Sequence, residues 1–164
     1  MCSNNWAKPR LKATELDITG QVLPGFNVNV NGAITDAKIT KESPNVVAGK
    51  ETVGNITPNT AKYIFNSWLQ YNAQKGFLKN FGVQGGAQWQ AERTVGTSGV
   101  SNIPNYFRLD GGINYHTGKL SIGFLVNNLL DDHQLLTSAS MSATLYTYIV
   151  EARRNFRSTI TYRF

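Results

Sequence analysis

From about Leu11 onward the chain alternates apolar and polar residues. Leu16, Ile18, Gly20 and Val22 share one parity against Glu15, Asp17, Thr19 and Gln21, and Phe26, Val28, Val30, Gly32 and Ile34 repeat the pattern against Asn27, Asn29, Asn31, Ala33 and Thr35. A period of two marks an extended strand with one greasy face and one wet face. The same reading applies to Tyr63–Tyr71, Phe81–Arg93, Phe107–His116 and Leu120 to about Leu130. It is cleanest in the last ten residues, where Phe156, Ile160, Tyr162 and Phe164 oppose Arg157, Thr159, Thr161 and Arg163. The count comes to about seven antiparallel strands. Three asparagines on one face make a poor dry core, but they suit a water-filled interior.

The connections sort by length. Leu23-Pro24-Gly25, residues 72–80 and Thr117-Gly118-Lys119 are short, whereas residues 36–60, 94–105 and 131–154 are long and turn-rich. Outer-membrane barrels alternate short periplasmic turns with longer outer loops because each strand crosses once. The fold class expected is therefore all-β: an antiparallel, up-and-down transmembrane β-barrel portion. With short turns in the periplasm, seven crossings place Phe164 there and Met1 outside. An odd count, together with no apolar signal segment in Met1–Arg10, reads as the carboxyl part of a larger barrel. An eighth strand at Tyr146–Val150 would instead give a complete small barrel. The main alternative is a soluble all-β binding module or adhesin, with the apolar face packed inside and the chain monomeric without detergent.

Composition narrows this further. Of 164 residues 16% are charged, and the longest apolar run, Leu120–Val126, is too short for a spanning helix, so strands must do any crossing. The formal charge of +6 comes from Lys and Arg scattered singly apart from Arg153-Arg154, so no nucleic-acid partner is expected. The single cysteine, Cys2, rules out an internal disulfide framework.

Candidate chemistry is sparse. Asp131-Asp132-His133 carries metal-ligand residue types, but neighbours on a strand point in opposite directions, and a polar exit from a strand is the better reading. Asp110 and His116 share a face but lie about 20 Å apart along a strand, with Ser121 on the next, so they read as lumen lining. No enzyme, metal or cofactor is expected. Tyr71, Phe81, Tyr115, Tyr162 and Phe164 fall near one set of strand ends, and Tyr63, Trp89, Tyr106 and Phe107 near the other, as two interfacial aromatic girdles would.

Four runs carry a resemblance. Glu15-Leu16-Asp17-Ile18-Thr19-Gly20, Ile103 through Tyr115, Val126-Asn127-Asn128-Leu129-Leu130-Asp131, and Arg154-Asn155-Phe156-Arg157 through Tyr162-Arg163-Phe164 together resemble TonB-dependent outer-membrane receptors, in that family's order and spacing. The strand from Gly82 to Arg93, the Pro104 loop and the Asn-Asn-Leu motif most resemble the siderophore receptors. The resemblance implies a barrel of 22 strands around a plug, of which this chain matches the last seven. Residues 11–164 would then be the carboxyl-terminal barrel segment, without the plug, after a loop or disordered start at 1–10. It implies barrel wall and outer loops for ferric siderophore uptake in a Gram-negative outer membrane, not transport-competent alone. The implied partners are outer-membrane lipid and the barrel-assembly machinery, with ferric siderophore and TonB only in the intact receptor. Phe156, Ile160, Tyr162 and Phe164 would form the assembly signal. Ligand contacts are expected in the outer loops, at Lys38, Lys41, Lys50, Tyr146 and Tyr148, cations and aromatics that suit an anionic chelate.

Overall fold

The computed structural model describes residues 8–42, 52–57, 59–95, 101–140 and 146–164. Among these residues are ten strands and no helix: β1 (Lys8–Leu23), β2 (Phe26–Lys41), β3 (Ala61–Asn72), β4 (Phe81–Val95), β5 (Ser101–Ile103), β6 (Tyr106–Thr117), β7 (Leu120–Asn127), β8 (Leu135–Ser140), β9 (Tyr146–Val150) and β10 (Asn155–Tyr162). Seven of them make one antiparallel sheet in the order β1-β2-β3-β4-β6-β7-β10, with β5 added to the end of β4 and β8-β9 standing apart as a hairpin. Nearest neighbours in sequence are nearest neighbours in space, the arrangement of a barrel wall laid open.

Between the register shifts at the two ends of the β1-β2 ladder, Lys8/Pro9 and Gln21/Leu23, the register carries the apolar parity from strand to strand. One rung runs Ile18, Val30, Ser67, Ala87, Leu109, and the next runs Leu16, Gly32, Phe65, Trp89, Phe107. Further down, Val28, Leu69, Gly85, Gly111, Val126 and Phe156 align. The intervening rungs are polar, for example Asp17, Asn31, Asn66, Gln88, Arg108. A shift of one residue on any strand would turn its apolar set to the wet side, so the pattern fixes the pairing.

The apolar face is open to its surroundings. Trp89 is 37% exposed, Phe124 39% and Ile160 72%, where a soluble module would bury all three. A contiguous apolar face across seven strands far exceeds the few hundred Å² that soluble monomers carry. Bilayer hydrocarbon is the solvent that suits it. Tyr71, Phe81, Tyr115, Tyr162 and Phe164 lie toward the end with the tight turns, while Tyr63 stacks on Trp89 at 6.5 Å, one rung from Phe107, toward the other.

The turns obey local chemistry. Pro24-Gly25 links β1 to β2, Gly25 taking a φ of 80°. A Cβ there would lie 2.2 Å from the Asn72 carbonyl oxygen, so only glycine fits. Gly25 in turn accepts from the Asn72 amide at 2.8 Å, tying this turn to the end of β3.

Several boundaries differ from those expected of the sequence. β1 starts at Lys8, so part of the expected loop start is strand. β2 continues to Lys41, six residues into the expected loop, because residues 52–57 take the place of β3 beside it: Ile39 and Ala37 bond Asn55, Gly54 and Thr57 there. The extended piece at Tyr146–Val150 exists, but it pairs with β8 rather than with the wall, which keeps the wall at seven strands.

Candidate functional site

Buried polar groups gather on the inward face near the long loops. Tyr106, Arg108 and Asp110 alternate onto that face of β6. Arg108 grips Asp110 with two parallel bonds, Nε to Oδ1 and Nη2 to Oδ2, each 2.8 Å, and its Nη1 donates to Glu151 at 2.7 Å. The Tyr106 hydroxyl donates to the other Glu151 oxygen, also at 2.7 Å. Tyr106 is 3% exposed, so it belongs to this polar cluster rather than to the outward girdle in which its position beside Phe107 suggests it. A guanidinium fork satisfies two carboxylates in fixed planes, geometry that lysine cannot reproduce.

The Asn-Asn-Leu-Leu-Asp motif locks the loop ends to this cluster. The Asn128 amide donates to Asp110 Oδ1 at 2.8 Å. Its fully buried side chain donates to the Asp132 and Ala152 carbonyls and accepts from the Asp132 amide. Asn127 binds Asn155 at 2.8 Å, which starts β10 in register. Asp131 accepts from Arg153 Nε and Nη2 at 2.9 and 2.6 Å and from the Arg154 amide at 2.9 Å. Those bonds hold its carboxyl well below the usual carboxylate range, Arg153 being the largest cause, and Arg153 is raised in turn.

The residues weighed as a metal set are thus turned to protein partners. His133 Nε2 accepts from Arg153 at 2.8 Å, and Asp132 accepts from Gln134 at 3.3 Å. Among the described residues no three His, Cys, Asp or Glu side chains are grouped to hold a metal. Asp110 sits on Arg108, whereas His116 meets Ser121 at 3.3 Å near the opposite end. There a cleft of about 540 Å³ is lined by Gln84, Asn114, His116, Ser121, Thr159 and Thr161, a wet lining.

Arg93 fastens the β8-β9 hairpin over the inward face. It donates to the carbonyls of Pro104, Leu135 and Leu136, and its guanidinium lies 5.5 Å from the Tyr106 ring. Arg93 has the parity of outward Trp89, yet it reaches inward because Glu92 takes a φ of 49°. A left-handed residue in a strand bends it and re-aims the next side chain.

The expected ligand contacts do not converge. Lys38 and Lys41 lie on β2, the first on its outward face beside Asp36, while Tyr148 lies on β9 and is 43% exposed. Tyr146 opens β9 with its side chain outside the described residues, and Lys50 lies wholly outside them. Sequence reasoning missed Arg93, Glu151 and Gln134, which meet residues 27 to 45 positions away. Asn128 alone had a signal, through its motif.

Comparison with known proteins adds the family. A family model described as type IX secretion system membrane protein PorP/SprF matches residues 26–164. The chain belongs to the PorP/SprF family. With a PorP/SprF match and an apolar face turned outward, it is an outer-membrane β-barrel protein. No curated protein matches. Solved structures share the wall. The siderophore receptor PiuA from Acinetobacter baumannii matches with a TM-score of 0.80 at 18% identity, over 95% of this chain and 22% of that one. The ferric-catecholate import receptor Fiu from Escherichia coli K12 gives 0.72 at 22% identity, over 96% and 21%. The ferric yersiniabactin uptake receptor FyuA from Yersinia pestis gives 0.78 at 18% identity, over 98% and 24%. The PorP/SprF chain thus spans under a quarter of the length of these receptors and has the fold of one stretch of their walls.

Proposed function

We infer that the chain forms barrel wall and outer loops of a TonB-dependent receptor that takes up ferric siderophores, with lipid outside and a binding role, not a catalytic one. The observation that carries this reading is the ordered set of four receptor-like runs lying on strands and turns of matching wall fold from Glu15 to Phe164. On this reading an anionic ferric chelate would meet Lys41, Lys50, Tyr146 and Tyr148 on the side of the long loops, Lys38 being turned to the outward face of β2. Plug movement driven by TonB would belong to the intact receptor. Phe156, Ile160, Tyr162 and Phe164 on the β10 edge would be read by the barrel-assembly machinery through strand addition. The outward aromatics Tyr63, Tyr71, Phe81, Trp89, Phe107 and Tyr115 would sit at headgroup depth.

A second reading, a membrane component of type IX secretion, is favoured by the family match over residues 26–164. Deleting the gene in its own organism separates the two. Uptake of radioactive iron from ferric siderophores should fall with secretion intact. Loss of secreted cargo with normal iron uptake overturns the receptor reading in favour of the secretion one.

A further inference from the structure

The β1-β2 ladder exchanges its two faces above the rung Thr14–Ile34. Below it the outward parity is Leu16, Ile18, Val30 and Ile34. Above it that parity becomes Arg10, Lys12, Asp36 and Lys38, while Leu11, Ala13, Ala37 and Ile39 turn inward. Sixteen residues on each strand exceed the roughly 9–11 a tilted strand needs to span hydrocarbon. The exchange therefore marks where this ladder leaves the bilayer on the side of the long loops.

The charges there are arranged for an external anion. Arg10 stands directly opposite Lys38, and a register shift at Pro9 sets Lys8 opposite Lys41. Like charges across a rung repel, and both strands together carry five cations in this stretch against Asp36. Asp36 meets Lys38 at 3.4 Å, both more than half exposed, which screens the pair. Directly beneath lies an apolar groove of about 370 Å³ walled by Leu16, Ile18, Ile34, Phe65 and Trp89, with Gly32 as its floor. Gly32 lies between Leu16 and Phe65 in an otherwise bulky rung, so its missing side chain opens the groove.

We propose that this outward face binds a phosphorylated, acylated lipid of the outer leaflet, the phosphate on Arg10, Lys12 and Lys38 and an acyl chain in the groove over Gly32. The dimensions agree. Lys12 lies four residues beyond Leu16, about 13 Å along a strand, or roughly 10 Å of height at a tilt near 40°. That is the distance from the upper part of an acyl chain to its headgroup. A free anion would use the cations and leave the groove empty. The site rests only on outer-membrane placement and is independent of which cargo the protein serves.

The test uses the full-length protein, extracted from outer membranes and reconstituted in phosphatidylcholine nanodiscs. These are doped with either diphosphoryl lipid A or its dephosphorylated form, and retained lipid is read by native mass spectrometry. The wild type should retain the diphosphoryl form about tenfold or more over the dephosphorylated one. Arg10→Gln with Lys12→Gln and Lys38→Gln should abolish that preference, and Gly32→Leu should lower retention by filling the groove. A Cβ at Gly32 meets only ordinary contacts, 3.5 Å from the Ile64 oxygen, so the variant is expected to fold. Heat-dependent gel migration checks folding, and Arg10→Gln alone replaces the triple variant if that fails to fold. Equal retention of both lipids by the wild type, or unchanged retention in both variants, overturns the proposal. Displacement of the lipid by millimolar inorganic phosphate, with Gly32→Leu silent, overturns it in favour of a plain anion site.

Discussion

The two ends of the sheet are held in different ways. β1 is exposed along its whole length and is tied to β2 by a backbone ladder, with side chains facing either lipid or water. At the other end β10 is just as exposed and has its own ladder to β7, but the loop ends that lead into it are tied to β6 and to each other by side chains: Arg108 to Asp110 and Glu151, Asn128 to Asp132 and Ala152, Asp131 to Arg153. A barrel strand in lipid gains little from apolar packing against its solvent, so a long regular ladder suffices where the connection is a tight turn. Where the connection is 27 residues long, between Asn127 and Asn155, loop ends need fixing by directional bonds.

The largest effect should come from Arg108→Ala. It leaves two largely buried carboxylates facing each other, which costs about 3–5 kcal/mol when one member of a buried ion group is removed. Unfolding by urea from detergent or bilayers should show that loss, while Lys12→Ala on the β1 ladder stays within about 0.5 kcal/mol. Equal effects at the two positions would erase the contrast.

Next come the faces themselves. Ile18→Lys puts a charge on the central outward rung and should cost about 2–4 kcal/mol. Asn29→Lys, inward on the paired strand, should change stability by no more than about 0.5 kcal/mol. If the inward substitution proves the costlier of the two in bilayers, lipid does not lie on the Ile18 side.

Asn128→Ala should cost about 1–3 kcal/mol, since it leaves the Asp132 amide and two carbonyls without their partner in a buried site. Asn128 also holds a φ of 53°, which alanine resists by about 1–2 kcal/mol and glycine does not. Asn128→Gly should therefore lose less than Asn128→Ala, and the difference between the two, read from the same urea curves, isolates the backbone part. An alanine variant as stable as the glycine one would leave only the hydrogen bonds.

What the sequence makes legible depends on how local each interaction is. The wall is legible because period-two alternation is written residue by residue, and the Pro24-Gly25 and Gly118 turns announce their own dihedrals. The outer end of β2 escapes such a reading because Ala37 and Ile39 alternate with charges in the opposite sense, so a pattern tuned to one parity stops at Thr35. Tyr106 reads as outward only when its ring is grouped with Phe107; it shares the inward parity of Arg108 and Asp110, and its Glu151 partner, 45 residues on, holds it there. Arg93 is hidden by Glu92, whose left-handed backbone no neighbour in sequence demands. The clamp is built from such distant pairs, and periodicity carries no information about them.

The smallest effect, and the finest test of the clamp, is in acid. Arg153 and the Arg154 amide favour the ionised form of Asp131, so its folded pKa lies below the ordinary value of about 3.9. A depressed carboxylate contributes fully above that ordinary range, and its contribution is lost as pH falls through the folded value. The pair is exposed enough for salt to weaken it further. Hydrogen exchange at the Arg154 amide, whose acceptor is Asp131 Oδ1, reports this bond directly. After correction for intrinsic exchange, its protection should hold from neutral pH down to about 4 and decline only below that. Asp131→Asn should be less protected at neutral pH and show no such decline, whereas protection at Ile18 on the β1 ladder should not change in either protein. Loss of Arg154 protection already near pH 6 in the wild type would mean that a group other than Asp131 governs the junction.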